Sequence, residues 1–317
     1  MIYLFIIICI FILLGGAYFY WLFVPAPPVY SIKGELTRET IKIGNLTRSF
    51  LAYTPAHIPS INLPSVIVLH GTGISGEKIR TWTGYDFDRL ADQYGFRVIY
   101  PDAVGGHWND LRNEGSFRSK KENIDDVAFI KALADQYRTR RPNSLFAFGY
   151  SNGGVMLYRI MAEHPDLFDS VATAGANLPA KVNRLREISA PAPPLMLVSG
   201  NKDPIIPYDG GTVKFFGRNL GQVMSAQETA EYYAVTHNLI SKEASGWLPD
   251  LAITDYTRLR EDNWTKGNEV KVRLYTVDNG GHVVPSAHAV FPRLMGVITK
   301  KLDAVKAAIA FFGLDNS

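Results

Sequence analysis

Residues 144–154 read Ser-Leu-Phe-Ala-Phe-Gly-Tyr-Ser-Asn-Gly-Gly, and the rest of the chain is organised around this stretch. Its first half is a short apolar run typical of a strand, and residues 155–161 continue with apolar side chains at helical spacing. Between them, Gly149 to Gly153 fits the pattern G-x-S-x-G, which in a strand–turn–helix context presents the serine on a sharp, strained turn. The sequence therefore predicts that Ser151 is a nucleophile exposed above a sheet.

Apolar runs and helical patterns alternate along the chain on both sides of this turn. Strands are expected at residues 65–69, 96–100, 145–148, 169–175, 194–200 and 270–276, and helices at residues 85–94, 124–138 and 292–312. Residues 35–53 alternate in part and turn at Gly44-Asn45, which indicates an antiparallel hairpin. Strands that alternate with helices predict an α/β fold with a mostly parallel central sheet and helices on both faces.

Composition favours one large globular domain and excludes several function classes. The chain has 317 residues with 47% apolar and 20% charged side chains, an ordinary balance for a protein with a sizeable core. The net charge of +3 is too small to argue for binding to nucleic acid. Cys9 is the single cysteine, so an intrachain disulfide and a cysteine nucleophile in the globular part are both excluded.

The N-terminal segment, residues 1–24, contains no charged side chain. About 20 apolar residues suffice for a transmembrane helix, and a membrane anchor is our first interpretation. A cleaved signal peptide is the main alternative, with Gly15-Gly16-Ala17 as the cleavage site, and a buried core helix is the third. Residues 25–33 are a Pro-rich linker and residues 34–317 the catalytic domain. We expect that domain to be exported, either anchored to the membrane or secreted.

A serine hydroxyl becomes a strong nucleophile only when a base takes its proton and a third group orients that base. In hydrolases with this kind of turn, the order along the chain is serine, acid, histidine. Asp203 lies in the turn after a buried strand, and His282 follows the last strand, so both are expected at strand carboxyl ends near Ser151. The sequence predicts Ser151, Asp203 and His282 as a catalytic triad.

Other residues compete for two of these roles. His288 is an alternative to His282, although it stands where the last helix should begin. Asp209 and Asp278 are alternatives to Asp203. Asp209 is further from its strand, and Asp278 is so close in sequence to His282 that both would occupy one loop. Chain order and position at strand ends favour the first choice in each case.

Backbone N–H groups must stabilise the oxyanion that such a nucleophile generates. One donor is the residue after the nucleophile, Asn152, and the other is expected in the loop after residues 65–69, where we assign it to Thr72. His70 in that loop is expected to have a structural role. Trp108 and Tyr150 are candidate substrate-binding residues, and the aromatic-rich residues 222–268 are interpreted as helical pieces and loops that cap the site.

These motifs resemble the α/β-hydrolase esterases of the polyhydroxybutyrate depolymerase and feruloyl or acetylxylan esterase type. The resemblance runs from about residue 51 to residue 312. It is carried by the segments His-Gly-Thr-Gly at 70–73, Tyr-Pro-Asp at 100–102, Asp-Asp-Val-Ala-Phe at 125–129, Gly-Tyr-Ser-Asn-Gly-Gly at 149–154, Gly-Asn-Lys-Asp at 200–203 and Gly-Gly-His at 280–282. Two departures stand out: Thr72 replaces a frequent cysteine, and Val-Val-Pro follows His282 where many members have Trp-Pro-Gly.

The resemblance implies a serine carboxylester hydrolase that acts through an acyl-enzyme on a small or polymeric ester. It implies the same triad and oxyanion hole as the residue pattern, with no metal ion and no organic cofactor. A peptidase or acyltransferase would share this machinery and remains an alternative. A non-catalytic binding protein, attached to a membrane through its N-terminal segment, is the second alternative, because fold does not fix function.

Overall fold

The computed structural model describes residues 2–315, except residues 29, 57–61, 140–143, 189–191, 216, 240–241 and 250–254. Within that part of the chain, the strands form one ten-stranded mixed sheet and one two-stranded sheet. The strands are β1 (Glu35–Ile43), β2 (Leu46–Thr54), β3 (Ser65–Leu69), β4 (Arg97–Pro101), β5 (Leu145–Tyr150), β6 (Ser170–Ala174), β7 (Leu195–Gly200), β8 (Gly211–Phe215), β9 (Arg218–Val223), β10 (Glu243–Trp247), β11 (Arg258–Lys266) and β12 (Glu269–Asp278).

The large sheet has the strand order β1-β2-β4-β3-β5-β6-β7-β12-β11-β10. Its six central strands, from β4 to β12 in that order, are parallel. The expected hairpin β1–β2 lies antiparallel at one edge, and β11 and β10 lie antiparallel at the other. The prediction of a mostly parallel sheet is therefore confirmed. The carboxyl ends of the six parallel strands lie together at one end of the strands, which we call the carboxyl edge of the sheet. Ligands bind at this place in such folds.

The helices are α1 (Ile2–Leu22), α2 (Gly76–Trp82), α3 (Asp86–Tyr94), α4 (Arg118–Lys121), α5 (Asp126–Tyr137), α6 (Asn152–Glu163), α7 (Ala226–Thr236) and α8 (Ala304–Phe311). Four of them begin at a side chain that accepts a backbone N–H of the first turn: Ser75, Asp125, Ser225 and Asp303. Such caps satisfy donors that the helix itself leaves unpaired. Local sequence thus sets where these helices start.

Side chains of the buried strands alternate between two hydrophobic clusters. In β3, Ile67 and Leu69 pack in a cluster with α5, α6 and α7, whereas Val66 and Val68 pack in a second cluster with α2, α3 and α8. This alternation follows from the two-residue repeat of a strand. Helices therefore cover both faces of the sheet, as the sequence predicts.

Helix α1 contacts the domain at its C-terminal end. The guanidinium carbon of Arg293 lies 4.4 Å from the centre of the Tyr20 ring, and further along the chain the Tyr30 ring meets the His288 ring at 4.9 Å. Among the residues that the structure describes, no helix combines the length and the apolar character that crossing a membrane requires.

The C-terminal part differs from the sequence-based expectation in two places. The helix predicted over residues 292–312 consists of a 3-10 turn at Arg293–Met295 and the shorter α8, because Gly296 has a φ of 91° that interrupts any helix. The cap predicted over residues 222–268 is wrong in part, because β10 and β11 extend the large sheet instead of covering the site. Trp264 of β11 is 2% exposed and belongs to the core.

Candidate active site

The turn between β5 and α6 places Ser151 in a strained conformation. Ser151 has φ 54° and ψ −121°, which a non-glycine residue rarely adopts, and its N–H donates to Ala174 O at 2.9 Å. The turn is tight because the neighbouring chain is close: a Cβ added to Gly153 would lie 2.3 Å from Leu69 O. The glycines of the G-x-S-x-G pattern are therefore required by packing, and they let β3 approach the serine turn.

Three polar side chains from different loops meet at the carboxyl edge of the sheet. His282 Nε2 lies 2.9 Å from Ser151 Oγ, and His282 Nδ1 lies 2.6 Å from Asp203 Oδ2. Asp203 follows β7 and His282 follows β12, the two strands that are paired in parallel. The structure thus brings together all three residues that the sequence predicts as a triad, with the serine, imidazole and carboxylate in line.

The loop after β7 fixes the Asp203 carboxylate. Asp203 Oδ1 accepts the N–H groups of Ile205 and Ile206 at 2.7 and 2.8 Å, which leaves Oδ2 for the imidazole. The side chains of Asp203 and His282 are only 3% and 2% exposed. A carboxylate facing Nδ1 requires the hydrogen there, so Nε2 presents a lone pair to the serine hydroxyl. This is the tautomer that a general base needs.

The competing residues lie elsewhere or have other partners. His288 Nδ1 contacts Asp86 Oδ1 at 2.7 Å, at the start of α3. Asp278 Oδ1 accepts Asn201 Nδ2 at 2.8 Å, and no contact joins Asp278 or Asp209 to the imidazole of His282 among the described residues. The geometry therefore favours Asp203 and His282 over their alternatives.

Several contacts hold the His282 loop in place. His282 N donates to Met295 O at 2.6 Å, and Tyr150 Oη donates to His282 O at 2.9 Å. Sequence reasoning missed Gly175, which has φ 59° just after β6, and where an added Cβ would lie 2.9 Å from His282 Nδ1. The signal available in the sequence was the Ala-Gly-Ala at residues 174–176, a small-residue segment directly after a buried strand.

The two residues predicted to supply the oxyanion donors line the same cleft. Thr72 and Asn152 both line the cavity that contains Ser151 and His282. A Cβ added to Gly71 would lie 3.2 Å from Ser151 Cβ, so the loop that carries Thr72 touches the serine turn. Within the described residues, neither the Thr72 N–H nor the Asn152 N–H donates to a protein acceptor. Both donors are therefore available to a substrate oxygen.

The Asn152 side chain ties the serine turn to the loop after β4. Its Oδ1 accepts Trp108 N at 2.8 Å, and its Nδ2 donates to Asp110 Oδ2 at 2.5 Å. Trp108 is fully buried, does not line the cleft, and donates through Nε1 to His70 O at 2.9 Å. The expectation that Trp108 binds substrate is therefore corrected. Its indole instead supports the loop of Thr72, while Tyr150 does line the cleft.

Replacing Asn152 with alanine should separate the role of its side chain from that of its backbone N–H. The N–H is kept, but the buried Trp108 N–H loses its acceptor, so the oxyanion donor is held less firmly. We expect kcat to fall about tenfold with KM changed less than about threefold. Asn109→Ala is the matched control, since its side chain also makes buried hydrogen bonds away from the cleft. Equal losses of kcat in both variants, measured by steady-state kinetics, would contradict this assignment.

His70 is held as a neutral imidazole beneath the same loop. Its Nε2 accepts Ala103 N at 3.0 Å, so the hydrogen is on Nδ1, which lies 2.7 Å from Gly71 O. Burial lowers the pKa of His70 to about 4, because a charged imidazole would lose its hydration. This arrangement agrees with the structural role expected from the sequence.

Acidification should therefore destabilise the protein through His70. The folded-state pKa of His70 lies below its unfolded value of about 6.5. The neutral imidazole therefore stabilises the fold fully above pH 6.5, and this contribution is lost as the pH falls toward 4. Burial raises the pKa of Asp88 to about 6, so Asp88 makes the fold more stable as the pH falls. This effect is the same in wild type and in His70→Gln and cancels when the two proteins are compared. In urea unfolding, His70→Gln should lose about 3 kcal/mol less stability than wild type from pH 6.5 to 4. Equal losses of unfolding free energy in wild type and His70→Gln would show that His70 is not the source of the acid sensitivity.

The cleft above Ser151 is small and mostly apolar. The empty space in it, open solvent included, is about 500 Å³. The β8–β9 hairpin, the loop after Asp203, α2 and the His282 loop all contribute lining residues. The apolar lining residues are Ile74, Trp82, Tyr150, Val155, Ile205, Ile206, Val213, Phe215, Leu220 and Met295. Arg112 is the one lining residue with a permanent charge among those that the structure describes.

Comparison with known proteins agrees with this architecture. The model of the prolyl oligopeptidase family matches residues 86–180. The chain is 26% identical over 287 residues to the putative esterase NocK of Nocardia uniformis subsp. tsuyamanensis, covering 87% of this chain and 82% of that protein. It is 27% identical over 157 residues to a poly(3-hydroxybutyrate) depolymerase of Ralstonia pickettii, covering 46% of this chain and 32% of that enzyme.

Among solved structures, an acetyl xylan esterase from Aspergillus awamori superimposes with a TM-score of 0.54 at 17% identity, over 89% of this chain and 100% of that one. Fold and site define a hydrolase with the α/β-hydrolase fold. The relatives narrow the class: the chain is a serine esterase-like enzyme that resembles the polyhydroxybutyrate depolymerases and the feruloyl and acetylxylan esterases.

Proposed function

We propose that this enzyme hydrolyses carboxylic esters with Ser151 as nucleophile, His282 as general base and Asp203 as the group that orients it. The observation that carries the proposal is the line of contacts from Asp203 Oδ2 through His282 to Ser151 Oγ, at 2.6 and 2.9 Å. Ser151 would attack the ester carbonyl as its proton passes to His282 Nε2. The Thr72 and Asn152 N–H groups would receive the oxyanion.

The rest of the reaction follows from the same groups. The tetrahedral intermediate collapses, the alcohol leaves with the proton that His282 Nε2 holds, and an acyl-enzyme remains on Ser151. A water molecule then gives a proton to His282 and attacks the acyl carbonyl, and the second collapse releases the acid and restores the serine hydroxyl. The buried Asp203 carboxylate stabilises the imidazolium in both halves.

A peptidase is the second candidate, favoured by the match of residues 86–180 to the prolyl oligopeptidase family model. An acyltransferase would differ in using an alcohol in place of water. The relatives with similar sequences are named as esterases or as a depolymerase, which favours ester hydrolysis. Aryl, acetyl-sugar and hydroxyacid esters are the substrate classes that these relatives suggest.

A side-by-side assay tests the proposal. The full-length protein is assayed on 4-nitrophenyl acetate, butyrate and octanoate, methyl ferulate, acetylated xylan, amorphous polyhydroxybutyrate and an alanyl-prolyl peptide ester and amide. We expect turnover of at least one oxygen ester and much slower turnover of the amide. Faster cleavage of the amide would favour the peptidase, and transfer of the acyl group to added butanol in preference to water would favour an acyltransferase.

For the N-terminal segment we propose export, with residues 1–24 as a signal or an anchor. The proposal rests on the lack of any charge in that segment and on its exposed aromatic and aliphatic side chains, such as Tyr3 and Phe11, which are 79% and 71% exposed. Mass spectrometry of the protein from membrane, periplasmic, medium and cytoplasmic fractions tests this proposal. An intact N-terminus in the soluble cytoplasmic fraction would overturn it.

A further inference from the structure

Arg112 occupies an unusual position for a charged residue, because it lines the cleft of Ser151 while it is only 3% exposed. Its Nε lies 2.9 Å from Asp110 Oδ2, and its Nη2 donates to the same oxygen. Asp110 in turn accepts Asn152 Nδ2, from the residue next to the nucleophile. Arg112 is thus two hydrogen bonds away from the oxyanion hole.

One carboxylate is shared by two cations at this point. Lys120 Nζ lies 3.3 Å from Asp110 Oδ1, so the two positive charges of Arg112 and Lys120 face the single negative charge of Asp110. His107 beside them stays neutral near pH 7, because burial lowers its pKa to about 3. The cluster therefore holds one uncompensated positive charge in an enclosed place, which is unfavourable unless an anion completes it.

One nitrogen of the guanidinium remains open. Among the residues that the structure describes, no hydrogen-bond acceptor contacts Arg112 Nη1. This nitrogen is not one of the fully enclosed unpaired polar atoms, and Arg112 is one of the residues that line the cleft. The other lining residues around it are apolar, so Nη1 is the strongest donor that the wall of the cleft offers apart from the catalytic groups.

We propose that Arg112 is a specificity-determining residue, and that its Nη1 binds a carboxylate carried by the ester substrate. The inference rests on the proposed ester hydrolysis and narrows its substrates to monoesters of dicarboxylic acids or to esters of hydroxy acids with a free carboxyl group. In both, a carboxylate lies a few bonds from the scissile carbonyl. The substrate carboxylate would accept a charge-assisted hydrogen bond from Nη1 and so bring the negative charge that the cluster lacks.

Pairs of esters of matched shape test the inference with the full chain at pH 7. The acid-side pair is the mono-4-nitrophenyl ester of glutaric acid and 4-nitrophenyl 5-methylhexanoate, in which an isopropyl group replaces the carboxylate. The alcohol-side pair is 3-acetoxypropanoate and isopentyl acetate. In at least one pair, wild type should favour the carboxylate ester in kcat/KM by about tenfold or more, as expected for a hydrogen bond to a charged group.

The ratio within each pair is measured again for Arg112→Gln and Arg112→Lys. General damage to the hydrogen bonds around Asp110 lowers kcat/KM for both esters equally and cancels in the ratio. Arg112→Gln should bring the ratio to about one or below, and Arg112→Lys, which keeps a cation, should give an intermediate value. A wild-type ratio of one or less in both pairs, or a ratio that Arg112→Gln leaves unchanged, overturns the inference alone. Inactivity of wild type on all four esters overturns this inference, and inactivity on the esters of the side-by-side assay as well overturns the proposed function.

Should Arg112→Gln fail to fold, the wild-type ratio and Arg112→Lys still decide the matter. A wild-type preference for the carboxylate ester that persists at full strength in Arg112→Lys would mean that the geometry of the guanidinium is irrelevant. That result would overturn the role of Nη1. A preference that falls in Arg112→Lys, with the neutral ester still hydrolysed, supports it.

Discussion

Replacing Ser151 with alanine is expected to lower kcat/KM on 4-nitrophenyl butyrate by roughly 10⁴- to 10⁶-fold, with the fold intact. The loss is large because the hydroxyl is the atom that forms the covalent intermediate, and no other nucleophile contacts His282 Nε2 among the described residues. The residual rate reflects binding and the oxyanion donors alone. Stability should hold or rise slightly, because alanine removes a polar group from a strained turn.

Ser170→Ala is the matched control for this prediction. Ser170 begins β6 at the opposite edge of the sheet, is 5% exposed, and its hydroxyl donates to Pro194 O at 3.2 Å. Its removal costs one buried hydrogen bond, about 1 kcal/mol, without touching the cleft. Circular dichroism and thermal unfolding verify folding in both variants. Activity of Ser151→Ala within tenfold of Ser170→Ala would rule out Ser151 as the nucleophile.

The substitution Asp203→Asn is expected to lower kcat by about 10³- to 10⁴-fold at pH 7. The asparagine Oδ1 can still accept the N–H groups of Ile205 and Ile206, so its NH₂ group must face His282 Nδ1. An amide donor at that position forces the imidazole hydrogen onto Nε2, the nitrogen that should accept the serine proton. The base is then present in the wrong tautomer.

Asp278→Asn is the control for the acid. Asp278 is the last residue of β12 at the same edge, but its carboxylate accepts Asn201 Nδ2 instead of an imidazole hydrogen. We expect kcat to change less than about threefold in that variant. Pre-steady-state kinetics should show that Asp203→Asn slows formation of the acyl-enzyme. A greater loss of kcat in Asp278→Asn than in Asp203→Asn would show that Asp278, and not Asp203, orients His282.

The central fold and the arrangement of the site could be predicted because they follow from local sequence. The apolar runs that became β3, β5, β6 and β7 are buried on both faces and carry no competing pattern. Gly149 and Gly153 mark the serine turn, since packing at both positions excludes a side chain. Asp203 and His282 could be chosen because they are the first acidic residue after β7 and the first histidine after β12.

Other features depend on tertiary contacts that sequence patterns do not reveal. Strand β11 reads as polar, yet it pairs with β12 and extends the sheet, with Asp262 buried in ion pairs with Arg260 and Lys242. Trp108 could equally line a pocket or fill a core, and only its contacts with His70 and Asn152 decide between them. Asp110 and Arg112 lie outside every helix and strand, so no periodicity identified them.

The most direct test of the account is the site of covalent modification by an organophosphate. Diethyl 4-nitrophenyl phosphate is incubated with wild type, Ser151→Ala and Asp203→Asn, and the proteins are analysed by intact mass and peptide mapping. We expect a single diethylphosphoryl group on Ser151 in wild type, none in Ser151→Ala, and much slower labelling in Asp203→Asn. Labelling of another residue, or equal labelling of wild type and Ser151→Ala, would contradict the claim that Ser151 is the activated nucleophile.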